Sequence, residues 1–303
     1  MRVSLLKTYF YSVLFSTCLF TVTVAHGIDK IEKSLSVTAN GHIFINNDRG
    51  DVVVKGWNKN KILVKGELAD NRHELIFKNK GEKTFIKINT RDSSHKGYTH
   101  SGGSNDLVVF IPENAQLHFK GIDTDFSVEG VFAKITGNSI NGELLIKNVH
   151  TQIYVSTISG DINVSDSSGS VRVESMRGDV NVKGEFEDAN LQSVAGDIWT
   201  DISHIKKLHT NNVTGNTIVE GILINDASIE LASVDGDIEY RVTGQLNAVC
   251  EITTQFGGEI NNNLTDDLPD KSQMHARQLR FVSGDGEGSV VIKTIVGKIN
   301  IDN

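Results

Sequence analysis

The chain has 303 residues, rich in glycine (28) and poor in proline (2), with 30 Lys and Arg against 38 Asp and Glu and a net charge of −8. That length fits one long domain or two modest ones. The acidic balance argues against nucleic acid, which calls for a basic stripe, and against electrostatic docking on anionic lipid.

Residues 1–25 read as a secretory signal. Arg2 and Lys7 form a charged start, an apolar run covers Tyr9 to Val24, and Thr23 and Ala25 suit the −3 and −1 places of a cleavage site. The alternative is a membrane anchor, but the run is short and broken by Ser and Thr. Phe15-Ser16-Thr17 makes a poor lipobox before Cys18. The expected protein is therefore exported, periplasmic or extracellular. Without this segment the chain carries 28 bases and 38 acids, net −10, and Cys250 is its only cysteine. No intramolecular disulfide is then possible, and Cys250, sharing a strand face with Ala248 and Ile252, reads as a buried, inert thiol.

Residues 26–112 read as an N-terminal β-region, a cap or a small sandwich. Strands are expected at 34–38, 41–46, 51–55, 61–66, 73–78, 84–89 and 107–111, separated by turn residues such as Asn40-Gly41, Arg49-Gly50 and Asn79-Lys80-Gly81. Such a region would cover the otherwise open strand edges of the repeats that come after it in the chain. Residues 91–106 form a polar loop. Its His95, Tyr98 and His100 are the residue types of a metal site, although a solvated tract explains them as well. Pro112 ends the last strand.

Residues 113–303 are dominated by one returning phrase: NGELLI at 141–146, SGDINV at 159–164, RGDVNV at 177–182, AGDIWT at 195–200, TGNTIV at 214–219 and DGDIEY at 235–240. Its glycines stand at 142, 160, 178, 196, 215 and 236, then at 258 and 297, so the period is 18 to 22 residues with one gap of about two periods. A fixed period near twenty means stacked units. Within a unit the period is two: Ile162 and Val164 share a face, as do Val180 and Val182, and Ile238 and Tyr240. Half a unit on comes a second strand, with Ile153 and Val155, Val171 and Val173, Ala189 and Leu191. Two places before the glycines an apolar residue recurs (Ile158, Met176, Val194, Val213, Val234, Phe256, Ile295), and three places before stands, usually, Thr or Ser (Thr157, Ser175, Ser193, Ser233, Thr294). Equivalent positions carry equivalent chemistry, as stacked coils require. The fold class is all-β, a β-solenoid or stacked two-sided β-roll. A polar insertion at 261–277 bulges out as a loop or one helical turn, QLRFV at 278–282 resumes the coil, and residues 290–302 form the closing turn.

The signal, GDVVVKGW at 50–57, VVFIPENAQLHFKG at 108–121, the SGDINV phrases and the ending GDGEGSVVIKTIVGKINI at 284–301 together resemble a bacterial family of candidate adhesins, a domain of unknown function built on repeated Ser-Gly-Asp strand phrases. The resemblance implies an exported β-repeat protein and brings no catalytic residues to carry over. The chain departs from the pattern at Asn216 and Lys298, where the acid after the glycine is missing, and in the 261–277 insertion.

The sharpest chemical feature is the acid column Glu143, Asp161, Asp179, Asp197, Asp237 and Glu259. Stacked carboxylates repel, so solvent, turn amides or a cation must compensate. Asp after Gly is a common turn former; the alternative is Ca²⁺ at Asp161, Asp179, Asp197 and Asp237, without the GGxGxD signature of Ca²⁺-binding solenoids. Arg49-Gly50-Asp51 and Arg177-Gly178-Asp179 spell a cell-attachment tripeptide, in which Gly-Asp is already explained by the repeat. Trp57 at a strand end, and Trp199, outward if Ile198 and Thr200 face in, are possible surface contacts for sugars. No nucleophile motif or histidine cluster appears, and no catalytic, cofactor or firm metal residue is assigned. The expected function is a non-catalytic binding or structural protein of the bacterial envelope, its partner an envelope protein, a glycan or its own kind. The alternative is a polysaccharide-acting β-helix enzyme, which needs a groove lined by two or more acids.

Overall fold

The computed structural model describes residues 29–68, 73–90, 104–271 and 275–303. The expected signal and the residues His95, Tyr98 and His100 lie outside them. The described chain is all-β and forms a β-solenoid. Its strands belong to one hydrogen-bonded network because the longest, such as Ile162–Arg177, Val180–Ala195, Ile198–Thr214 and Thr217–Asp235, bend through both faces of the flattened coil.

The coils stack in parallel with like on like. On one face Ile162, Val180, Ile198, Thr217 and Ile238 are successive partners. On the other, Val171, Ala189, Leu208 and Ile229 are. All point inward and are buried, joining one apolar core that runs from Ile43 to Ile301. Strict alternation in the sequence thus becomes interior ladders with a rung every 4.8 Å or so. The two corners of a coil are built differently. One turns on the repeat glycine: Gly160, Gly178 and Gly196 have φ between 129° and 142°, and a Cβ there would meet the carbonyl of the glycine one coil below. The other uses left-handed Asn148, Asp166, His204 and Asp226, and all but His204 are residue types that tolerate that conformation through short polar side chains.

At both ends the spatial order differs from the chain order. The strand His42–Trp57, where separate strands at 41–46 and 51–55 were expected, is a coil on which Gln116–Glu129 stacks in parallel. On its other side lie Lys83–Thr90 and Asp106–Pro112, which come later in the chain. Antiparallel strands then cover that outermost coil: Lys61–Leu68 on Asp106–Pro112, Asp29–Ser36 on Lys61–Leu68, and His73–Lys80 on Lys83–Thr90. The other end repeats the device. Gly288–Val296 sits between Thr217–Asp235 and Ala248–Thr254, and Ile299–Asp302 between Ile238–Val242 and Ile260–Asn262. Residues 290–302, expected to close the stack, therefore lie one coil in from its end. QLRFV, expected to resume the coil, belongs to Arg277–Ser283, which runs antiparallel along Ala248–Thr254. Both surprises have one cause: coils of near-identical chemistry accept any similar coil as neighbour.

Candidate functional site

The acid column lies at the glycine corner, exposed to solvent, and extends to Asp125 and Asp51 below Glu143. Asp125, Asp161, Asp179, Asp197 and Asp237 each cap the coil above, whereas Glu143 accepts from the Asn163 side chain at 2.9 Å. The backbone N–H of Glu143 donates to Asp125 Oδ1 at 2.7 Å, that of Asp179 to Asp161 at 2.8 Å, and that of Asp197 to Asp179 at 2.8 Å. Asn216 donates its N–H to Asp197 at 2.7 Å and, with its own side-chain oxygen, accepts from Asp237 at 3.1 Å; Asp237 accepts from Lys298 at 2.7 Å. At these five aspartates one carboxylate oxygen is thus committed to a backbone amide. Partial burial, then Asp106 and Asp125, push the Asp51 carboxyl above its ordinary range. Among the described residues no group of three or more His, Cys, Asp or Glu is placed to hold a metal ion.

Trp57 is half-buried and tied to neighbouring side chains and backbone. Its ring stacks on Phe110 with centroids 5.2 Å apart, its Nε1–H donates to Lys61 O at 2.7 Å, and the Lys59 ammonium lies 5.0 Å from the ring. Trp199 is half-buried, flanked by the buried Ile198 and Thr200. Five strand spacings, about 24 Å, separate the two tryptophans, so they form no common platform. Arg49 pairs with Asp123 at 3.3 Å. Cys250 is buried, which pushes its thiol up to about 12.

The structure assembles two features that no single motif announces. The first is a row of rings across one outward face. Phe85, Phe44 and His118 are partners on adjacent strands, and their rings stack at 5.1 and 4.8 Å within 14° of parallel. Burial, then His42 and Lys134, lower the His118 pKa and favour the neutral ring. The next rung is Thr136, which carries no ring, and beyond it stand Tyr154 and then Arg172. The Arg172 guanidinium lies 5.5 Å from the Tyr154 ring and is fixed by Glu174 at 2.8 Å, which also accepts from the Tyr154 hydroxyl at 3.4 Å. A groove of about 560 Å³ opens here, floored by Thr136 and Tyr154 and edged by Lys134, Gln152, Arg172 and Asn190. The sequence signal is weak, because Phe44 and His118 are brought together across 74 residues.

The second is a ridge. The apolar residues two places before the glycines point outward, because the Ser and Thr three places before are buried and alternation fixes the rest. Ser139, Asn212 and Thr294 tie carbonyls of the glycine corner. Eight side chains, Ile122, Ile140, Ile158, Met176, Val194, Val213, Val234 and Ile295, stand one per coil, each 38–52% exposed. Seven strand spacings make the ridge about 34 Å long.

Residues 40–302 match the model of a family described as Toastrack DUF4097. No curated protein matches. Among solved structures, a candidate adhesin from Bacteroides fragilis has a TM-score of 0.44 at 16% identity, with 90% of this chain and 97% of that one covered. A candidate lipid-binding protein from Parabacteroides distasonis has a TM-score of 0.46 at 15% identity, with 90% and 96% covered.

Proposed function

The chain belongs to the Toastrack DUF4097 family, and from that premise we propose that it is a non-catalytic binding protein of the bacterial envelope, exported through its N-terminal segment, that holds a glycan on the outward face around Tyr154. The row of rings ending in the gap at Thr136 carries this assignment. Rings flanking a small hydroxyl residue offer the C–H faces of a sugar something to stack on, while Gln152, Asn190, Lys134 and Arg172 offer hydrogen bonds to its hydroxyls. Among the described residues no helix is long and apolar enough to cross a membrane. Affinity electrophoresis in gels containing soluble envelope polysaccharides tests the assignment. Retardation is expected, and Tyr154→Ala should abolish it with the melting temperature unchanged; retardation that survives this change would place the ligand elsewhere.

One observation favours a polysaccharide-acting enzyme instead. The neighbouring depression is lined by Glu185, Glu187, Asp188 and His204, which gives two or more acids in one groove. Release of reducing ends from the retarding polysaccharide, abolished by Glu185→Gln or Asp188→Asn, would replace binding by cleavage.

A further inference from the structure

Soluble monomers rarely expose a continuous apolar strip of this length, and the 34 Å ridge from Ile122 to Ile295 needs a partner. The period selects it. An α-helix laid along the ridge presents a side chain every 5.4 Å, against 4.8 Å here, and the mismatch grows to about 4 Å over seven rungs, nearly a whole rung. An extended strand, with a same-face repeat of about 6.8 Å, drifts faster. A second copy of this chain has the same spacing by identity, so every rung meets a rung.

The flanks select the direction. On the first rung Lys120 lies on one side of the ridge and Asp123 on the other; on the fourth, Glu174 and Arg177 do. A twofold axis along the ridge sets Lys120 opposite Asp123 of the second copy and Arg177 opposite its Glu174, each pair occurring twice; both acids already hold a cation of their own chain, Arg49 at 3.3 Å and Arg172 at 2.8 Å, so each carboxylate is shared between two cations. Neither Lys120 nor Arg177 has an ion pair among the described residues. The reversed arrangement sets Lys120 against Lys293, which flanks the last rung on the same side. We propose that this ridge is a homodimer interface, ridge on ridge, with the two solenoid axes parallel. The ridge lies beside the glycan site on the same strands, Ile158 four residues beyond Tyr154 and Met176 four beyond Arg172, with Glu174 between the two.

The test uses the purified full chain in a Cys18→Ser background, which leaves Cys250 as its one native cysteine. Sedimentation equilibrium should show a concentration-dependent dimer, and Met176→Glu with Val194→Glu should leave a monomer of unchanged melting temperature. Ile122→Cys reads the direction without relying on that variant. In the parallel dimer the new thiol meets its own copy and gives a disulfide-linked dimer under mild oxidation, Cys250 being buried and silent. In the reversed dimer it lies about 34 Å from its copy and links only when mixed with Ile295→Cys, which would overturn the proposed direction. A monomer at every concentration, or a dimer untouched by the paired Glu changes, would overturn the interface itself.

Discussion

At the scale of single residues, the repeat phrase separates into parts with different jobs. Glycine is required because its φ is left-handed and a Cβ would enter the carbonyl of the coil below. Gly178→Ala should therefore cost about 3 kcal/mol, read as a lowered urea midpoint; an unchanged midpoint would mean the corner relaxes freely. The following Asp acts through one oxygen that accepts an amide, and Asn216 already does this with an uncharged side chain. Asp179→Asn should then change stability by no more than about 0.5 kcal/mol, and the melting temperature should not move between Ca²⁺ and chelator. A rise of many degrees with Ca²⁺ would make the column a cation site. Such roles are partly legible in the sequence: Gly-Asp marks a turn by itself, whereas the Asn and Asp of the opposite corner carry no fixed phrase and do not stand out.

At the scale of the strand, parity decides what a residue does. Ile162 is fully buried and Asn163, next to it, faces outward. Ile162→Asp puts a charge among apolar ladders and should abolish folding, seen as loss of a cooperative melt and of the strand circular-dichroism signal, while Asn163→Asp, which sets a carboxylate against the exposed Glu143, should lower the melting temperature slightly and keep the melt cooperative. Normal melting of Ile162→Asp would show that the faces are reversed. Period-two alternation makes the buried ladders legible, from Ile153 and Val155 to Ala189 and Leu191. The outward rows are not, since whether Phe44, His118 and Tyr154 align depends on register across long stretches of chain. The ridge sits in plain view as a recurring apolar position, but its exposure follows only once the neighbouring Ser and Thr are known to face in.

At the scale of the whole molecule, the repeat period dictates the stack and leaves its order undetermined. Val290 and Ile292 have the same chemistry as Ile229 and Leu231 below or Cys250 and Ile252 above, so composition cannot say which coil they join; the chain connections do. Removing residues 288–303 would strip the pairing from Thr217–Asp235 on one side and Ala248–Thr254 on the other. The shortened chain should lose its cooperative melt and sediment as aggregates. A folded, monodisperse product would show that the outer strands can dock without the missing coil.

The inward placement of that coil also sets how the molecule bears load. Tension applied at Ile301 does not meet an outer strand that peels away one hydrogen bond at a time. It pulls along Ile299–Asp302, gripped by Ile238–Val242 on one side and Ile260–Asn262 on the other, so two parallel ladders resist in shear together. His42–Trp57 is clasped in the same way near the opposite end. Tension at Asp29–Ser36, which among the described strands pairs with Lys61–Leu68 alone, instead unzips one ladder, so the molecule resists a pull at Ile301 more than one at its opposite end.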